Sequence, residues 1–194
     1  FNNLTFVGQT STTAGLVYFN STNITVNGTF TVGAGSNATC RQFFTINATA
    51  ASVTVTTITA AAWAAGASDA DWFGIVISGA AGTISGTRFG NCGGCTGISF
   101  APAKTVYWNL SGSQNWSATG WATVSGGTPS VNNFPLAQDT AIINNAGSAG
   151  TITMDKPWNI GTLDMSARTS AMTLGLGTNI SIYGNWAGGS GVTQ

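Results

Sequence analysis

The chain has 194 residues, 43% of them hydrophobic and only 5% charged, with 27 Gly and no His. That length fits one domain or two small ones with a sizeable core, and the composition excludes disorder, which requires low hydrophobicity and high net charge. Five basic residues balance five acidic ones, so the basic face that nucleic acid requires is missing, and zero net charge favours association into a larger assembly.

No apolar run approaches the roughly 18 residues of a membrane span, so no membrane insertion is expected. No secretory-signal pattern is visible at Phe1. Asn-x-Ser/Thr sequons run from Asn3 to Asn179, as chance supplies in a chain this rich in Asn, Ser and Thr.

In chain order, short alternating segments at Leu4–Val7, Leu16–Phe19, Asn23–Val26 and Thr29–Val32 predict strands, separated by breaks at Gly8, Gly15, Asn20 and Gly28. Phe43–Ile46 and Val53–Ile58 continue in kind, the latter alternating Val and Thr. Ala60–Ala67, around Trp63, is the one stretch with helical propensity, but it is short and lacks polar periodicity. Asp71–Ser78 predicts a strand pair, and Ile98–Phe100 and Thr105–Trp108 predict strands flanking Pro102. From Asn109 to Pro135 the pattern breaks into Trp, Pro, Gly and Ser, a long excursion from the wall of strands. Strands resume at Thr140–Ile143, Thr151–Met154, Ile160–Met165, Ala171–Leu174 and Ile180–Tyr183.

One stretch occurs twice. Asn23-Ile-Thr-Val-Asn-Gly-Thr-Phe30 and Asn179-Ile-Ser-Ile-Tyr-Gly-Asn-Trp186 share Asn-Ile-hydroxyl-aliphatic-x-Gly-x-aromatic. Each reads as a strand, a glycine bend and a return to the packed side. Such a unit cannot bury its own apolar face, and its recurrence is what a solenoid of mutually covering coils produces. The expected fold is therefore all-β, a parallel β-helix-like solenoid. Its expected segments are 1–108, an excursion or lid over 109–135, and a continuing solenoid over 136–194. Neither Phe1–Leu4 nor Gly191–Gln194 carries a charged or helical cap, so a longer chain, or a protomer with covered ends, is expected.

The run Asp71-Trp-Phe-Gly-Ile-Val-Ile-Ser-Gly-Ala-Ala-Gly, then Gly86-Thr-Arg-Phe-Gly-Asn-Cys, Lys104-Thr-Val-Tyr-Trp-Asn, Phe134-Pro-Leu-Ala-Gln-Asp-Thr-Ala, Leu163-Asp-Met-Ser-Ala-Arg-Thr and Ile182-Tyr-Gly-Asn-Trp resembles strings in tail-fibre and virion-surface proteins of bacteriophages, particularly aquatic ones. The resemblance covers most of the chain from Asp71. It implies a structural role in a virion, outside the cell, with host attachment and with other copies of itself as partners. Fibres of this kind are usually trimers, so a homotrimer contacting other virion proteins and a host surface glycan is implied. Related Gly-Asn-Trp strings also occur in bacterial surface adhesins, which makes an extracellular adhesin or surface filament on the bacterial cell the alternative. The resemblance carries no catalytic residue.

Three constellations carry potential chemistry. Cys92-Gly-Gly-Cys95 reads as a turn clipped by a local disulfide or as two thiols in a tight bend; zinc would need four ligands, and Cys40 is the only other soft one. Asp69, Asp71, Asp139, Asp155 and Asp164 are the only carboxylates. A glycan depolymerase needs two of them at a set separation, whereas turns and partners such as Arg88, Lys156 and Arg168 offer a structural use. Trp108, Trp116 and Trp121 bracket the amides Asn109, Gln114 and Asn115. They are candidate glycan contacts, since a ring stacks on the apolar face of a sugar, or else an apolar lid. No Ser-His-Asp set, phosphate-binding loop, dinucleotide fingerprint or EF-hand loop occurs. The expectation is a non-enzymatic protein without cofactor or metal.

Overall fold

The computed structural model describes residues 1–6, 15–33, 42–46 (backbone only) and 55–194. Cys40, Arg41 and the predicted strand residues Val7, Val53 and Thr54 lie outside the described residues. The protein is all-β: its only described helix is a single 3-10 turn at Val131–Asn133. It divides into two compact units, Phe1–Ala101 and Pro102–Gln194.

In the first unit one parallel sheet has the order β1 (Leu4–Phe6), β3 (Asn23–Val32), β5 (Thr56–Trp63) and β7 (Ile75–Ser78). A second parallel sheet orders β2 (Gly15–Phe19), β4 (Gln42–Ile46), β6 (Ala70–Trp72) and β9 (Gly90–Asn91). A short parallel pair joins β8 (Ile84–Ser85) to β10 (Ile98–Ser99). Alternation selects the buried face: Ile75 and Ile77 point inward while Val76 and Ser78 lie half-exposed between them. The inward set, with Val26, Phe30, Ile58, Trp72, Ile84 and Phe89, forms one cluster, each large side chain contributing about 1.5–3 kcal/mol on burial.

Two local ambiguities are resolved here. Ala60–Trp63 is strand, not helix, because Ala60 continues the buried alternation of β5 and Trp63 packs on Phe30 with centroids 5.4 Å apart. The first copy of the repeated motif does not bend at its glycine. β3 runs straight through Gly28 with a register shift between Val26 and Thr29. Gly is needed there because the chain at Asn2 comes so close that a Cβ would lie 2.4 Å from its carbonyl oxygen. The second copy does bend, giving β19 (Ser181–Ile182) and β20 (Trp186–Ala187).

The second unit contains a sheet ordered β13 (Trp121–Ala122), β11 (Thr105–Trp108), β14 (Thr140–Ile142), β17 (Thr162–Asp164) and β20. All its pairs are parallel except β11 with β13. A second parallel sheet orders β12 (Gly112–Asn115), β15 (Ala149–Thr153), β18 (Met172–Gly175) and β21 (Val192–Thr193), and β16 (Asn159–Ile160) pairs with β19. Residues 109–135 lie inside this unit, and part of the expected excursion is sheet. Trp121 and Ala122 fold back antiparallel on the outer edge of β11, occupying main-chain groups that an edge strand leaves open.

Successive passes of chain are held in register at their corners. Gly161 sits at the bend between β16 and β17, where a Cβ would lie 2.1 Å from the Asp139 carbonyl oxygen, and the Gly184 N–H donates to the Gly161 carbonyl at 3.0 Å in the next pass. Asn145 Oδ1 accepts from the N–H groups of Thr169 (3.1 Å) and Ser170 (2.9 Å). Arg168, 1% exposed, donates to the carbonyls of Ser170, Asn144, Gly147, Ala149 and Ala171.

Candidate functional site

The Trp-rich stretch is assembled around β11 and β12. Trp108 closes β11 and Trp121 lies opposite it in β13. Their rings meet edge-on at 5.2 Å, and Trp116 stands 4.7 Å from Trp121. All three rings are at most 1% exposed. Asn109 ties down the turn that follows β13: its Nδ2 donates to the carbonyls of Val124 (3.1 Å) and Gly127 (2.9 Å), and its Oδ1 accepts from the Gly126 N–H (3.0 Å). The expectation of Trp108, Trp116 and Trp121 as glycan contacts is therefore corrected. A sugar stacks on an open ring face, and these faces are filled by one another and by the chain folded over them.

What the surface does present beside this cluster is polar. Parallel pairing of β12 with β15 sets Asn115 beside Thr153, and Ser113, Gln114, Asn115 and Thr153 line an open depression of about 280 Å³. Gln114 and Asn115 were legible from their place among the tryptophans. Thr153 was not, because it is far away in sequence and arrives only through the sheet; the outward Thr alternation of Thr151 and Thr153 was its one signal.

Just below the depression, Asp155 is the hub of a polar knot. It accepts from Ser117 Oγ (2.6 Å) and N–H (3.3 Å), from Lys156 Nζ (3.0 Å) and from Trp158 Nε1 (3.1 Å). Burial acts to raise its pKa, but the bonds from Ser117, Lys156 and Trp158 and the Lys156 charge outweigh burial and hold it below the ordinary 3.8. A depressed carboxylate pKa stabilises the fold above its unfolded value, and that contribution disappears as pH falls through the folded value. Asp155→Asn should therefore lower the urea midpoint at neutral pH, with the difference from the parent shrinking as pH is taken below 3.8; urea titrations at several pH values check it.

The other carboxylates are also committed. Asp69, fully buried, receives Arg88 Nε at 2.6 Å and Nη2 at 2.7 Å. Both residues adopt positive φ, 57° and 55°, so the pair fixes two strained backbones. Asp139 is 1% exposed and accepts from the Lys104 side chain, the Lys104 N–H (3.0 Å) and the Leu136 N–H (2.8 Å). Asp164 accepts from Ser166 N–H and Oγ, and Asp71 is 2% exposed within β6. No described group of three or more His, Cys, Asp and Glu could hold a metal.

Of the two readings of Cys92 and Cys95, a local disulfide or two thiols in a tight bend, the structure has the thiols. Gly93 and Gly94, at φ 102° and 69°, carry the chain round a turn. That turn leaves Cys92 buried, its N–H on the Trp72 carbonyl, and swings Cys95 against the core cluster. Burial pushes the Cys95 thiol above its ordinary value, and only the thiolate alkylates. Iodoacetamide at mildly alkaline pH should therefore label Cys95 more slowly than a free cysteine, with the difference lost in urea, as peptide mass spectrometry would register.

Among the described residues no helix is long and apolar enough to cross a membrane. Comparisons with protein-family models, with curated proteins and with solved structures found no match to the chain.

Proposed function

We propose that this chain is a parallel β-solenoid segment of a phage tail fibre or other virion-surface fibre, structural and host-contacting, with no chemistry of its own. The observation that carries it is the parallel pairing of strands at a regular interval along the chain, as in Thr140–Thr162, Thr151–Thr173, Asn159–Ser181 and Leu163–Trp186. These partners stand roughly 20 residues apart, at the short end of the periods of stacked repeat architectures. Within each unit, successive strands bury their apolar residues against one another, as the coils of a fibre would, and a near-neutral polar exterior suits contact with glycans. A non-catalytic role is supported by the carboxylates: Asp69, Asp139, Asp155 and Asp164 are engaged by their own chain, whereas a glycan-cleaving pair must face a bound sugar at a defined separation. Association with other copies, a trimer by analogy with such fibres, is supported by Leu16 and Tyr18, both half-exposed on one side of β2.

The test is location. Antibody raised against the chain should decorate fibres on virions by negative-stain electron microscopy, and sedimentation should give a trimer. Decoration of bacterial surface filaments in place of virions would replace the proposal with the adhesin alternative. Release of reducing sugar from host polysaccharide would replace it with a depolymerase.

A further inference from the structure

We propose that the outward face of the β12–β15–β18 sheet, centred on Asn115 and Thr153, binds a neutral, hydroxyl-rich polysaccharide chain. The inference rests on the adhesive role above and gives it a site and a ligand class. Hydrogen-bonding capacity is its first support. The carboxamide of Asn115 and the hydroxyls of Thr153 and Thr173 make no hydrogen bond among the described residues, although they stand together on one sheet. On the first unit's sheet, by contrast, Thr59 and Ser78 engage each other, Oγ1 to Oγ at 2.9 Å. Uncommitted donors and acceptors have no internal hydrogen bond to break when a ligand arrives, so the cost that remains is that of ordering their short side chains.

Charge sets the ligand class. No charged side chain lines the depression, and Asp155, the carboxylate just after β15, is neutralised by Lys156 and bonded to Ser117 and Trp158. An acidic polysaccharide would lose hydration here and find no cation in return. A neutral one exchanges water for amide and hydroxyl partners of matching kind. Shape agrees as well. Asn115, Thr153 and Gly175 form a row across neighbouring strands, spaced about 4.8 Å apart as parallel strands are. Gly175 lacks a side chain beside the Thr153 hydroxyl and would admit a Cβ at ordinary contact distance, 3.6 Å from Thr153 Oγ1. The row is thus a shallow trough open along the sheet. With Trp108, Trp116 and Trp121 enclosed, each trough binds through hydrogen bonds alone, and useful avidity comes from many troughs on one polymer.

The experiment is electrophoresis of the full chain through native gels containing dextran, mannan or galactan, with alginate as the acidic comparison. At least one neutral polymer should retard the protein and alginate should not. Asn115→Ala combined with Thr153→Val removes two hydrogen-bonding groups and should weaken retardation at least about tenfold, with the melting temperature unchanged. Thr153→Ser alone, which keeps the hydroxyl, should retain retardation, and so should Thr25→Val on the first unit. Retardation by alginate only, by no polymer, or equally by parent and double variant overturns the proposal. Binding to host cells separates the two levels: a double variant that binds cells as the parent does refutes this site alone, whereas a parent that binds no cells refutes the adhesive role itself.

Discussion

Trp121→Ala should destabilise the protein by about 3–5 kcal/mol, the range for truncating a large buried aromatic, and shift the urea midpoint without altering retardation by polysaccharide. Trp121 is the middle ring of three, 5.2 Å from Trp108 and 4.7 Å from Trp116, and its strand is the one that covers the edge of β11. Removing the ring empties the centre of the cluster, and the neighbouring rings cannot close the space because Asn109 and the sheet hold their backbones. Trp108→Phe should cost much less. The Trp108 Nε1 is buried without a hydrogen-bond partner, and losing an unsatisfied donor offsets part of the lost contact. A sugar platform would give the opposite result, an unchanged melting temperature with lost adsorption, so both measurements belong on one sample.

Arg168→Met should be comparably severe. The guanidinium is buried without a carboxylate within ion-pair distance among the described residues, and it donates to five main-chain carbonyls, two of them preceding β15 and one within it. Burial lowers its pKa below the ordinary guanidinium value, but a guanidinium stays protonated at any pH where the fold persists. Met fills a similar volume and supplies no donor. Each buried carbonyl left without one costs about 1–3 kcal/mol, so several together should lower stability by about 3–5 kcal/mol or more on the same scale. Arg168→Lys should recover only a minority of the loss, because three donors on one nitrogen cannot span carbonyls that a planar fork reaches. Urea denaturation of both variants beside the parent checks the ordering.

Much of the secondary structure was legible because a half-buried strand writes its period into the chain. Thr105–Trp108 reads correctly residue for residue, and the strand pair in Asp71–Ser78 divides at Phe73-Gly74 into β6 and β7. Boundaries were less legible. Thr29–Val32 joined Asn23–Val26 as a single strand, and Ile160–Met165 divided at Gly161, because a glycine reads alike in sequence whether it makes room for a neighbouring chain or makes a bend. The repeated motif shows the same ambiguity, straight through Gly28 and bent at Gly184.

By itself, then, the sequence determined an all-β protein with an uncharged, hydroxyl- and amide-rich exterior, since alternation and composition are local properties that any packing must respect. Only the tertiary structure decided which segments became neighbours. Parallel pairing brought Thr153 to Asn115 and made a trough, an antiparallel return folded Trp121 back on Trp108 and closed a platform into a core, and stacking of successive strands placed Arg168 among carbonyls instead of carboxylates. The physical reason is that a parallel partner lies a whole pass of chain away, and no spacing within one strand records where that pass will return.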